Sequence, residues 1–189
     1  MSDNTNPTKV ITGKCRASYV NVFTARLNEL SGKEEFSMTL LIPKSDKATV
    51  SSLVSAMNAV VSSKWPNKVP SGLNKPLHDG DGEKPNGGEY GEECQGHWVL
   101  NVKSSRRPGI IDGNMQDVID PNEFVSGDYC RVSLGAYAYD NIKKGVSFGL
   151  NNIQVLAKGD PLGGTRARAQ DEFSPAGKAY DAFDDDIPF

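Results

Sequence analysis

Residues 10–24, VITGKCRASYVNVFT, alternate polar and apolar in one parity and then in the other. Thr12, Lys14, Arg16 and Ser18 hold the polar positions and Cys15 and Ala17 oppose them. The apolar parity then moves to Val20 and Val22. A parity change inside one extended segment turns every later side chain to the opposite face, so this strand carries a bulge or a sharp bend. A bent leading strand suits a small closed sheet, which must turn a corner, better than a flat one.

Outward from this stretch, Asn28 to Lys33, with Gly32, reads as a turn. Residues 34–42 then alternate cleanly, with Phe36, Met38, Leu40 and Ile42 opposite Glu35, Ser37 and Thr39. After Pro43-Lys44-Ser45, the residues Val50, Leu53, Val54, Met57, Val60 and Val61 recur at i, i+3, i+4, i+7. That spacing predicts an amphipathic helix with Ser45 as N-cap, stopped at Trp65-Pro66. Residues 66–96 carry four prolines and seven glycines. A connection of that length is either functional or mobile.

Strands resume at 97–104, with Trp98, Leu100 and Val102 inward, and at 128–140 and 145–156 around the Asp140–Gly145 hairpin. Trp98 and Phe148 read as core. A basic turn, Arg106-Arg107-Pro108-Gly109, and an irregular stretch to Gly127 lie between. Five or six strands, one helix and short antiparallel links favour a mainly β protein. The expected architecture is an OB-fold: a five-stranded Greek-key barrel with one helix, a long Gly/Pro-rich loop and a disordered acidic C-terminal tail. The pattern alone also permits a β-sandwich. The expected division is a leader at 1–8, the OB domain at 9–158, a linker at 159–180 and an acidic tip at 181–189.

Composition narrows the function. The 189 residues carry 21 bases and 24 acids, a net charge of −3. The charge is polarised: six of the acids, against only Lys178, fall in Asp171–Phe189, giving that tail −5 and the remainder +2. An acidic tail on a weakly basic body suits a polyanion binder with an interaction tail. Cys15, Cys94 and Cys130 are odd in number and far apart, which argues for free thiols in a reducing compartment. No cysteine or histidine spacing fits a structural zinc, and no metal or cofactor is expected. No apolar run approaches the ~20 residues of a membrane span, and Met1–Pro7 lacks the basic and apolar regions of a signal peptide. A cytoplasmic protein with no membrane partner is expected.

The outward row of 128–140 is Tyr129, Arg131, Ser133, Gly135, Tyr137 and Tyr139. Aromatics with an arginine form a platform on which single-strand bases stack, at ~1–3 kcal/mol per base and without regard to sequence. The alternative is that tyrosines, good strand formers, simply pack under loops. Bases that could serve the platform are Lys14, Arg16, Arg26, Lys33, Lys103, Arg106, Arg107, Lys143 and Lys144, with Tyr19 and Phe23 on the strand face that turns outward after the bend. At the C-terminus, Asp184, Asp185 and Asp186 precede Ile187, Pro188 and Phe189. A terminal aromatic beside a carboxylate and a run of aspartates suits a peptide hook that docks an apolar pocket with a basic rim.

Phe183–Phe189, FDDDIPF, resembles the C-terminal tip of bacterial single-stranded-DNA-binding proteins. The resemblance implies docking of replication, recombination and repair enzymes through Phe189 and Pro188. The body resembles a different group, the tailed-phage single-stranded-DNA-binding proteins, which are OB-fold proteins distantly similar to the T7-type protein. The residues that carry this are the Gly13–Phe23 strand, Pro76–Asp81, His97-Trp98 and Gly145–Gln154. Departure from the bacterial body argues against a tetramer and leaves a homodimer open.

The function expected is sequence-independent binding and protection of single-stranded DNA in phage replication, recombination and repair, without enzymatic activity. A non-enzymatic strand-annealing protein and a protein-only adaptor are the alternatives of the binding kind. A metal nuclease built on His78, Asp79, Asp81, Glu83, Glu89, Glu92 and Glu93 is the enzymatic one, and it needs a rigidity that a glycine-rich loop does not supply.

Overall fold

The computed structural model describes residues 6–162 and Phe173. The leading segment is broken rather than merely bent. Strand β1, Lys9–Ile11, ends at Thr12-Gly13-Lys14, and strand β2, Cys15–Asn28, begins after it. The break is held from both sides. Buried Thr12 exchanges hydrogen bonds with Val132, and the Gly13 N–H donates to Thr49 Oγ1 at 2.8 Å. Strand β3, Lys33–Pro43, pairs antiparallel with β2. Ser18 faces Thr39 and Asn21 faces Ser37, so three steps of β2 match two of β3; from Asn21 to Arg26 five steps match two. These bulges are where the apolar parity changes, from Cys15 and Ala17 to Val22, all three fully buried.

Helix α1, Lys47–Lys64, follows. Its N-cap is Asp46, not the expected Ser45: the Asp46 carboxylate accepts from both the N–H and the hydroxyl of Thr49. The helix end must reach Gly13, and a Cβ there would run into that carboxylate, which selects between two adjacent capping residues. Leu53, Ala56 and Val60 are buried against β1 and two later strands, whereas Val54, expected on the apolar face, is exposed.

The remaining strands are β4, Leu77–Asp79; β5, His97–Ser104; β6, Gly109–Ile111; β7, Tyr129–Asp140; and β8, Lys144–Ala157. Short 3-10 turns occupy Glu92–Cys94 and Pro121–Glu123. Neighbouring pairs run β2–β3, β3–β5, β5–β8, β8–β7 and β7–β2. This is a closed ring of five strands. Two joints are short: β5 meets β8 in parallel at Lys103 and Gly149, and β7 meets β2 at Cys130–Cys15 and Tyr129–Arg16. A five-stranded barrel with weak seams is the OB architecture. Its interior includes Met38, Leu40, Ile42, Leu100, Val102, Val132, Leu134, Phe148, Leu150 and Ile153; Trp98 packs against this core only partly buried. Burial pushes the Cys15 thiol up to about 11 and that of Cys130 higher still, so both stay protonated and pack as small apolar groups.

Two segments lie across this barrel. Residues 66–96 are anchored rather than loose. β4 pairs with Trp98–Leu100, Asn74 bonds the backbone of Lys144 and Val146, and Lys44 Nζ joins Asp79 and Asp81 above the Trp98 ring. After β8, Lys158 and the Gly159 N–H both bond buried Asp128, Arg16 Nη2 donates to Asp160 O at 2.6 Å, and Leu162 settles beside Leu41, Cys94 and Val99. Among the described residues, no helix is long and apolar enough to cross a membrane.

Candidate nucleic-acid interface

The outward side chains of β3 and β5 are Glu35, Ser37, Thr39 and Leu41 beside Val99, Asn101 and Lys103. They floor two adjoining depressions of about 550 and 460 Å³ that share Tyr19, Thr39 and Asn101. The first is walled by the 66–96 segment, through His78, Lys84, Tyr90 and Cys94; the second by the β2–β3 hairpin, through Arg26, Leu27 and Asn28. A third, of about 270 Å³, continues past Asn101 to Lys75, Ser147 and Tyr139. Together they make a groove from the β2–β3 hairpin, across β3 and β5, to the start of β8. In an OB barrel this strand face and the two hairpin loops at its ends are where oligonucleotides bind.

Tyr19 stands at the middle of the groove. It is 72% exposed, and its φ of 47° places a bulky residue in the left-handed region. The neighbouring backbone holds it there: the Val20 N–H donates to Ser126 Oγ, and Asn21 Nδ2 donates to Tyr19 O. Strain of this kind persists only where the surroundings impose it. The bulge at Ser18–Asn21 is the device that turns the ring outward. Lys103 reaches Glu35 at 3.4 Å, and Glu35 also accepts from Asn28 at 2.8 Å, so one carboxylate orders the hairpin end of the groove. Burial lowers the pKa of His78, which keeps its imidazole neutral near pH 7.

The expected site residues separate into groups. Tyr19, Lys103 and Tyr139 line the groove. Lys143 and Lys144 sit on the β7–β8 hairpin, tied to the groove through the Asn74–Lys144 backbone bond, with Lys144 3.5 Å from Asp140. Tyr137 faces Ser147, one strand beyond the groove floor. Tyr129 lies elsewhere, under Lys14 at 4.8 Å and Arg16 at 5.9 Å, where Arg16 binds the carbonyls of Gly127 and Asp160. Arg131 donates to Gln154 at 2.6 Å beside Ile11, Ile111 and Met115. Phe23 packs on the core with Arg107 over its ring at 5.9 Å, and Arg106 is exposed in the β5–β6 turn.

The tyrosine row is therefore not one surface. Ten residues of strand span ~33 Å, and barrel strands tilt, so an outward row winds round the barrel. Tyr90, Asn101 and Lys84 were not among the expected site residues, and His78 was offered only to the nuclease reading; they come from a stretch without periodicity or from a strand's plain polar face. Asp79 and Asp81, offered to the nuclease reading, are engaged by Lys44. Asp184–Phe189 lie outside the described residues.

The family model described as the Enterobacter phage Enc34 ssDNA-binding protein matches residues 8–187. The chain belongs to the Enc34 ssDNA-binding protein family. It is also similar to protein p50 of Acyrthosiphon pisum secondary endosymbiont phage 1, with 27% identity over 87% of this chain and 92% of that one. The barrel matches the bacteriophage Enc34 ssDNA-binding protein solved in complex with ssDNA, with a TM-score of 0.72 and 21% identity over 84% of this chain and 91% of the other. It matches bacteriophage T7 gp2.5, a single-stranded DNA binding protein, with a TM-score of 0.60 and 14% identity over 90% and 97%. At these identities the two structures establish the OB barrel. Membership of the Enc34 family, which is one of binding proteins, sets the nuclease reading aside.

Proposed function

We propose that this protein binds single-stranded DNA in the groove between the β2–β3 hairpin and the 66–96 segment, and coats it during phage DNA replication, recombination and repair. The observation that carries the reading is Tyr19, held strained and exposed at the centre of the strand face that OB barrels use, in a chain of the Enc34 ssDNA-binding protein family. Bases stack on Tyr19 and Tyr139, with Tyr137 extending the path. Arg26, Lys103, Lys143 and Lys144 meet phosphates. Grip on backbone and π-faces is indifferent to sequence. Lys14, Arg16 and Tyr129 are assigned to anchoring residues 158–162, Phe23 and Arg107 to the β2 bend, and Arg131 to the far face of β7–β8. The acidic tip, through Asp184–Asp186 and Ile187-Pro188-Phe189, recruits replication, recombination and repair enzymes. The protein works in the host cytoplasm.

The test is a salt series of gel shifts on single-stranded and duplex oligonucleotides, with the full chain and a 181–189 deletion side by side. Single strands should be preferred, with affinity falling linearly in log–log against salt. The deletion should bind DNA as well or better and lose capture of replication enzymes. Equal affinity for duplex, or no salt dependence, refutes the groove; a clear loss of DNA affinity on deletion refutes the hook.

A further inference from the structure

The groove needs no second wall if bases merely stack on an exposed tyrosine. Yet the chain builds one from 66–96 and fixes it. Lys44 bonds Asp79 and Asp81, the Gly96 N–H donates to Asp81 Oδ1 at 3.0 Å, and the Gly80 N–H donates to His97 O at 2.9 Å. Gly80 is pressed so close to the carbonyls of Cys94 and His97 that a Cβ would collide with both. This wall carries Tyr90, half-buried against Leu41, Cys94 and Val99, with Lys84 Nζ 5.7 Å from its ring centre.

The cleft so formed has the chemistry of a base site. Its volume of about 550 Å³ falls within the ~300–1,000 Å³ of ligand pockets. Tyr19 lines it on the β2 side and Tyr90 on the other, and Leu41 and Val99 give an apolar floor. Thr39 Oγ1 donates to Asn101 Oδ1 at 2.7 Å, which holds the Asn101 amide in the floor with donor and acceptor capacity for a base edge. Neutral His78 offers one donor and one acceptor more. Aromatic faces with a few hydrogen-bonding groups between them are how proteins hold a base turned out of its strand.

We propose that the cleft between Tyr19 and Tyr90 is a nucleobase pocket: one base of the bound strand turns off the groove into it, between the β3–β5 floor and the fixed 78–94 wall, with Lys84 at the adjoining phosphate. The proposal rests on the single-stranded-DNA reading above. It makes the long Gly/Pro-rich segment part of the binding site, and it adds a discrete station to a grip otherwise spread along the backbone.

The experiment measures affinity of the full chain, by fluorescence anisotropy at fixed salt, for a wholly abasic oligonucleotide, the same oligonucleotide with one central thymine, and an all-thymine strand. The strand can slide to place its single base. That thymine should tighten binding by about 5- to 150-fold. Tyr90→Leu keeps the apolar packing and should remove most of the gain, read as the ratio of one-thymine to abasic affinity within that variant. Asn101→Ala, at an exposed position that leaves the fold intact, should reduce the gain as well. No gain from the thymine in the unaltered chain overturns the pocket. So does a gain that survives Tyr90→Leu and Asn101→Ala but is lost in Tyr19→Ala, because the base then rests on Tyr19 alone. Failure to bind even the all-thymine strand instead overturns the single-stranded-DNA reading, and the pocket with it.

Discussion

Replacing Tyr19 with glycine should make the fold more stable than replacing it with alanine, while both changes weaken DNA binding equally. The reason is the φ of 47°. A left-handed conformation costs a residue with a Cβ roughly 1–2 kcal/mol, and glycine nothing. Glycine loses more chain entropy on folding, about 0.5–1 kcal/mol relative to alanine. The difference favours glycine by about 0.5–1 kcal/mol, or a few degrees in Tm for a chain of this size. The ring is 72% exposed, and whatever packing it makes is lost in both variants, so the comparison isolates the backbone. Loss of a stacking ring should cost both variants about 1–3 kcal/mol of DNA affinity, a factor of roughly 5 to 150. Thermal denaturation and anisotropy titration of the two variants check this. Equal stability of glycine and alanine variants would refute the strain, and unchanged affinity in either would remove Tyr19 from the binding surface.

Two further predictions concern the wall. Gly80→Ala places a methyl against the carbonyls of Cys94 and His97, which belong to the backbone and cannot swing away. It should destabilise the protein by about 1–3 kcal/mol in urea denaturation and lower single-stranded-DNA affinity as the wall shifts; stability within ~0.5 kcal/mol of the unaltered chain would show that the wall is soft. His78 has a folded-state pKa below its ordinary 6.5 because burial disfavours the charged ring. Above that value it is neutral folded or unfolded and contributes no pH dependence. As pH falls through it, the unfolded chain takes up the proton first, so stability declines. Denaturation midpoints between pH 7 and 5 should fall less in His78→Gln than in the unaltered chain; parallel curves would contradict the burial effect.

The β elements were readable because alternation reports, residue by residue, which side of a strand meets water. Met38, Leu40 and Ile42, and the inward row Cys130, Val132, Leu134 and Ala136, are buried as their parity requires. The parity change near Ser18 marked a bulge that the β2–β3 register contains. The helix was legible at its spacing but not at its cap. Ser45 and Asp46 are both capping residues, and the docking of the helix end on Gly13, far off in the chain, chooses the second.

The site was less legible than the fold. Periodicity places Tyr129, Arg131, Tyr137 and Tyr139 on one side of one strand, but not on one surface. β7 curls round a closed barrel, so Tyr139 reaches the groove while Tyr129 meets Lys14 at the other end. Tyr90 had no pattern around it; it faces the groove because Lys44, on another segment, captures Asp79 and Asp81 and sets the wall in place. Local alternation and charge thus determined a mainly β barrel with a polarised charge distribution. Only closure of the ring decided which exposed rings share a groove, because that depends on partners brought together from distant parts of the chain.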